Sequence, residues 1–213
     1  MTQEFNSLVP DARAFLEALA ANNSREWFQE HKAEYDARLK APASALLDVL
    51  SADLQRQTGR PAKPKLFRPH RDVRFSKDKT PYHLHLHMLW STPPTGWFLG
   101  ISTEYVSVGA GVMAFDKAQL DQWRAAIDGH HGSILAGEIA ALTKAGARIE
   151  APELKRVPAP FDKDHPYSDL LKRKSLTLWR DLDTKELENG LLPQVQAVFA
   201  SFQSLDTKLR AIF

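Results

Sequence analysis

The sequence predicts an α+β fold, a single domain over residues 1–213, with a largely antiparallel central sheet and helices from both ends of the chain packed on it. Three observations predict it. Apolar residues recur at helical spacing through the first sixty positions, and again as a stripe of Val195, Val198, Phe199, Phe202, Leu205 and Leu209. Between them Leu84, Leu86, Met88 and Trp90 alternate with His83, His85 and His87, the period of a half-buried strand. The apolar runs that follow are joined by short turns, which suits antiparallel neighbours.

Each element has its own signal. Pro10 opens a helix at its first turn, with Phe15, Leu16 and Leu19 on one face. "NSRE" makes Asn23 the N-cap and Glu26 its capping-box partner, ahead of Phe28, Lys32, Tyr35 and Leu39 at helical spacing. Pro42 restarts a helix carrying Leu46, Leu47, Leu50 and Leu54, which Gly59 and Pro61 stop. After the histidine strand, "STPPTG" is a turn, and "WFLGISTEYVSVG" supplies one long strand or two short ones. Asp116 caps a helix with Leu120, Trp123 and Ile127; "DGHHG" breaks it, and Ile134, Leu135, Ile139 and Leu142 mark another. Residues 150–166 form an extended loop, Pro166 starts a short helix through Leu170 and Leu171, and "SLTLWRDL" is a late strand.

Composition is globular: 43% hydrophobic and 25% charged over 213 residues. With no cysteine, disulfides, thiolate zinc sites and cysteine nucleophiles are excluded. The N-terminal "MTQEFNSLVPDARAF" lacks a signal-peptide pattern and no apolar run reaches the ~20 residues that span a bilayer, so a cytoplasmic protein without membrane contact is expected. Net charge is only +2, but it is unevenly spread: residues 61–90 hold seven Lys and Arg against two Asp, and 151–180 hold seven against four Asp and Glu. Such local positive fields attract anions even on a nearly neutral molecule.

The first basic block contains "RDVRFSKDKTPYHLHLH", residues 71–87. His83, His85 and His87 share a strand face, but three ligands on a straight strand span about 13 Å, too far for one ion, so no metal site is expected. Ser76 and Lys79 spell S-x-x-K, yet Thr80-Pro81 opposes the helix this nucleophile pair needs. "GAGVMA", Gly109–Ala114, matches a dinucleotide fingerprint, but the helix start is later, at Asp116; two glycines at a strand end explain it better. The cations carry more. On an extended backbone Arg74, Asp72 and His70 point one way and Arg71, Val73 and Phe75 the other, and Asp72 can orient an arginine through a planar pair. "SKDKTP" is a turn presenting Ser76, Lys77 and Lys79 to an anion.

The unbroken Arg71–Tyr82 run, "NNSREWF" (Asn22–Phe28) and "LKRVPAPFDKDHPYSDLLKRK" (Leu154–Lys174) together resemble the hallmarks of the domain of unknown function 2461 family, in order and across nearly the whole chain. The resemblance implies an α+β domain of soluble proteins with no known cofactor and no assigned activity. Similar sequences carry Tyr-Lys-x-His where this one has Tyr82-His83-Leu84-His85, so only His85 fits the shared pattern.

Together these readings predict a small-molecule site for an anionic group, phosphate or carboxylate. Arg71, Arg74, Ser76, Lys77 and Lys79 come from the first block and Arg156, Lys172 and Lys174 from the second, lining one cleft. His85 or His165 is the proton carrier of any chemistry there, Asp72 the orienting carboxylate, and no metal or cofactor is called for. The rival is a nucleic-acid-binding module over residues 67–97, using Phe67, Phe75, Tyr82 and Trp97 to stack bases. Oligomeric state has no signal.

Overall fold

The computed structural model describes residues 5–213; residues 1–4, the start of the N-terminal stretch read above for a signal pattern, lie outside them. Helix α1 (Leu8–Ala21) turns Leu8, Ala12, Phe15, Leu16 and Leu19 inward. Helix α2 (Arg25–Glu30) is capped by Ser24, whose Oγ accepts from the Trp27 N–H at 3.2 Å. That corrects the assignment of the cap to Asn23. Asn23 is used elsewhere: its amide donates to the Tyr82 carbonyl at 3.0 Å and accepts from the Tyr82 N–H at 3.1 Å. An amide carries its donor and its acceptor on two separate atoms, so it can clamp both polar groups of one residue at once.

Helix α3 (Lys32–Glu34) runs into a π-helical turn at Tyr35–Lys40 and then into α4 (Ala41–Thr58), which ends at Gly59. Pro42 therefore lies in the first turn of α4 without a break before it. Its ring crowds the carbonyl four residues back, and the widened turn just ahead of it relieves that crowding. Strand β1 (Lys63–Leu66) has no counterpart in the sequence analysis, because Pro64 argues against a strand. It forms at the sheet edge, where a missing N–H leaves no ladder bond unmade.

Strand β2 (His85–Thr92) pairs antiparallel with β1, Lys63 opposite Ser91 and Leu66 opposite Met88. It buries Leu86, Met88, Trp90 and Thr92 alternately, as its period predicts; Leu84 precedes it and is exposed. The following run makes two strands, β3 (Thr95–Ser102) and β4 (Val106–Val112), buried at every residue. Gly111, at φ +141°, belongs to this ladder: a Cβ there would lie 2.0 Å from the Leu176 carbonyl oxygen. The glycines of "GAGVMA" thus permit close strand pairing rather than a dinucleotide-binding turn.

Helix α5 (Lys117–Asp128) opens on a capping box between Asp116 and Gln119. Helix α6 (His131–Lys144) buries Leu135 and Leu142 but leaves Ile134 exposed, one position off the inward face. Strand β5 (Arg148–Ile149), helix α7 (Ser168–Leu171), strand β6 (Leu176–Asp181) and helices α8 (Thr184–Leu187), α9 (Leu191–Ser201) and α10 (Gln203–Arg210) complete the chain. The fold is α+β, with one six-stranded antiparallel sheet in the order β1-β2-β3-β4-β6-β5. No described helix is long and apolar enough to cross a membrane.

The chain divides into two compact units. The first comprises residues up to Ser91, Phe98–Val108 and Asp181–Ala197. Its core joins the inward leucines of α1 and α4 to Met88 and Trp90, and the Trp90 indole donates to the Leu47 carbonyl at 2.9 Å. The second comprises Thr92–Trp97, Gly109–Arg180 and Val198–Phe213. There Trp97, Trp123, Phe199 and Phe202 are fully buried, and the buried Asp206 carboxylate takes the Thr95 hydroxyl at 2.5 Å and the Arg210 guanidinium at 2.7 Å.

Candidate functional site

In the first unit, residues 70–82 form a loop closed by an antiparallel bridge between His70 and Tyr82. The Arg71 N–H donates to the Pro81 carbonyl at 2.8 Å and the His83 N–H to that of Pro69 at 2.7 Å. The extended alternation expected through Phe75 breaks at a turn on Arg74 and Phe75. The cause is Asp72, whose carboxylate accepts the Arg74 backbone N–H at 3.2 Å and folds the chain back. The same carboxylate holds the Arg74 guanidinium through bonds of 3.0 and 2.7 Å and is itself held below the usual carboxylate range by that arginine.

The loop engages most of its own charge. The Arg71 Nη1 donates to Asp78 at 2.5 Å, to the Thr80 carbonyl at 3.2 Å and to the Thr80 hydroxyl. Bonds from the Thr80 N–H and then from Arg71 pull the Asp78 carboxyl down to about 2. Lys79 Nζ donates to the Val73 carbonyl at 2.9 Å, and the Ser76 N–H donates to the same oxygen at 3.3 Å. Arg71, Arg74 and Lys79 are therefore braces of the loop; Lys77 is exposed, and Phe75 at the turn is 96% exposed.

The base of this loop borders two pockets. Phe28 stacks on Tyr82 at a centroid distance of 4.1 Å, and His70 lies 4.9 Å from Tyr82. On one side a cleft of about 360 Å³ has Phe28, Tyr35 and Phe67 as an aromatic floor and Lys32, Asp36, Lys40, Arg68 and His70 around it. On the other, a shallow pocket of about 530 Å³ lies among Arg25, Glu26, Gln29, His70 and Tyr82. His70 borders both. The π-helical turn builds the cleft's charged wall: Asp36 pairs with Lys32 and, at 3.8 Å, with Lys40. Burial, and then the neighbouring Asp36, push the Tyr35 phenol up to about 12. Arg68 acts on Asp72 only at longer range.

Arg68 belongs to the basic block that charge counting finds, but Lys32 and Lys40 belong to an acidic stretch and no sequence signal marks them. They flank Asp36 because each lies four residues from it, about one helical turn away.

His83, His85 and His87 form a ladder of stacked rings on one face, with centroids 4.7 and 3.6 Å apart. Parallel rings do not converge on a point, and among the described residues no group of three or more potential ligands is arranged for a metal. The His87 Nε2 is 2.9 Å from the Tyr105 hydroxyl. Burial first, and neighbouring imidazoles second, bring His85 and His87 down to about 4, so both are neutral at pH 7.

The second basic block belongs to the second unit. His165 is largely buried; its Nδ1 accepts the Tyr167 N–H at 3.0 Å and its Nε2 lies 3.5 Å from Asp128. Neither His85 nor His165 borders the two pockets beside His70. Lys172 pairs with Asp169 at 2.5 Å, Arg156 is exposed, and the Lys174 N–H donates to Glu153 at 2.8 Å. The residue between those lysines, Arg173, is the buried one, and nothing in its sequence context marks it.

A family model described as a conserved hypothetical protein (DUF2461) matches residues 11–206. No curated protein matches the chain.

Proposed function

The chain belongs to the DUF2461 family, whose description assigns no activity, and on that premise we propose that the protein binds a small molecule through a phosphate or carboxylate group in the cleft beside His70. The observation that carries this reading is the charge balance there: Lys32, Lys40 and Arg68 line the cleft against the single carboxylate of Asp36. A guanidinium offers an anion a planar fork, and ammonium groups add point charges. The floor of Phe28, Tyr35 and Phe67 suits a flat apolar body on the same molecule. His70, at both pockets, is the histidine available to hydrogen-bond the bound group or exchange a proton with it.

One observation favours a second reading, single-stranded nucleic acid: Phe75 is 96% exposed with the Arg74 guanidinium 5.9 Å from its ring. A thermal-shift comparison separates the two. Phenyl phosphate should raise the melting temperature more than an oligothymidylate at equal concentration, because a ligand of the folded state alone stabilises it. The shift should vanish in Arg68→Ala and survive in Arg74→Ala and Phe75→Ala. A larger oligonucleotide shift, steeply salt-dependent and lost in Phe75→Ala, reverses the order of the readings. No shift from either ligand contradicts both.

A further inference from the structure

Arg173 is only 7% exposed, in a chain position between two lysines. Its Nη1 donates to the Glu150 carbonyl at 2.8 Å, while its buried Nε has no hydrogen-bond partner. A guanidinium stays charged, and a buried charge is costly unless a counter-charge and hydrogen bonds compensate it. The nearby carboxylates are committed elsewhere. Glu150 takes the Arg148 guanidinium at 2.6 Å. Glu153 accepts the Ser175 hydroxyl at 2.5 Å and the Lys174 N–H at 2.8 Å. Asp169 is bound to Lys172 at 2.5 Å. Glu153 and Asp169 act on Arg173 only through longer-range charge, with no ion pair to it among the described residues.

The same arginine borders a pocket of about 580 Å³ within the second unit. Its walls are mostly apolar, with Ser168 and the Asp169 carboxylate, the latter paired with Lys172, beside the arginine. Ala136, Ile139 and Ala140, with Thr143, present one face of α6, since they recur at i, i+3, i+4 and i+7. Ile149 of β5 and Leu170 of α7 add to them. Pockets of this volume, apolar with one or two convergent charged groups, suit small ligands.

From the uncompensated guanidinium and the apolar walls we infer that this pocket is a second ligand site, which takes an amphipathic carboxylate with its head on Arg173 and its hydrocarbon body along α6. It shares no residue with the cleft beside His70. The carboxylate supplies the directly bonded counter-charge that neither Glu153 nor Asp169 gives Arg173, and a single fork-to-fork contact fixes the ligand's orientation. An alcohol of the same chain length can fill the walls but not satisfy the guanidinium.

The test is calorimetric titration of the full chain with decanoate and with decanol, in wild type, Arg173→Met and Ala140→Trp. Ala140 is exposed, so tryptophan there fills the groove without disturbing the core. Wild type should bind decanoate saturably, decanol should bind at least about tenfold more weakly, and both variants should lose decanoate by a similar factor. If Arg173→Met does not fold, the Ala140→Trp and decanol comparisons decide alone. Equal affinity for decanoate and decanol overturns the inference, as does undiminished decanoate binding by Ala140→Trp, or no saturable binding. A null result here leaves the phenyl phosphate shift, which depends on Arg68, untouched.

Discussion

His87 lies on a strand face that the sequence identifies, but its chemistry depends on neighbours the sequence does not place beside it. A Cβ at Gly100 would come within 3.1 Å of the His87 ring and 3.2 Å of Tyr105, so this glycine makes the room in which the two side chains meet. Gly100→Ala should cost about 1–2 kcal/mol in urea unfolding through overpacking. His85 and His87 are brought down to about 4 in the folded chain, against about 6.5 unfolded. Between those values the unfolded chain binds protons that the folded one does not, so stability present above pH 6.5 is lost as pH falls towards 4. The loss should be about 2 kcal/mol across that range after allowance for partial exposure, and His85→Phe with His87→Phe should flatten it. An unchanged urea midpoint between pH 7 and 4 in the wild type counts against buried, neutral rings. Asn23 shows why neighbouring polar residues defeat a cap assignment: Asn23 and Ser24 are both good N-caps, and only the position of Tyr82 decides which is free to cap. Asn23→Ala should cost about 1–3 kcal/mol, since it strips partners from both backbone groups of a buried residue.

Among the elements, those with a strong period were legible and those shaped by crowding were not. The histidine strand and the C-terminal stripe follow from spacing alone, because burial on one face imposes it, and the Asp116 cap follows from its residue type. The π turn at Tyr35–Lys40 reads as ordinary helix in sequence, and β1 reads as no strand at all, since an edge tolerates the proline an interior strand rejects. The loop at 70–82 was legible as a basic, turn-forming segment, yet the pairing of each cation was hidden. Asp78→Ala frees Arg71 and should speed tryptic cleavage after Lys77 and Lys79 several-fold, while the melting temperature changes little, because solvent screens so exposed a carboxylate. A large loss of melting temperature with unchanged cleavage contradicts the bracing role.

For the protein as a whole, the two basic blocks were visible by counting, and two of the three family hallmarks fall in them. What counting cannot give is which charges are spent. Arg71, Arg74 and Lys79 look the most available in sequence and are engaged inside their own loop, while Arg68, two positions before it, faces a cleft whose other cations come from an acidic stretch. Arg173, flanked by exposed-looking lysines, is buried because the turn after α7 carries it inward while Lys172 turns to Asp169. Anion binding beside His70 is tested most directly by following backbone amide resonances during titration with phenyl phosphate. The account predicts saturable shifts at Lys32, Asp36, Lys40, Arg68 and His70, abolished by Arg68→Ala combined with Lys40→Ala. Shifts that never saturate, or that spread over Lys77, Lys155 and Lys163 and fade with salt while the cleft residues stay still, contradict it.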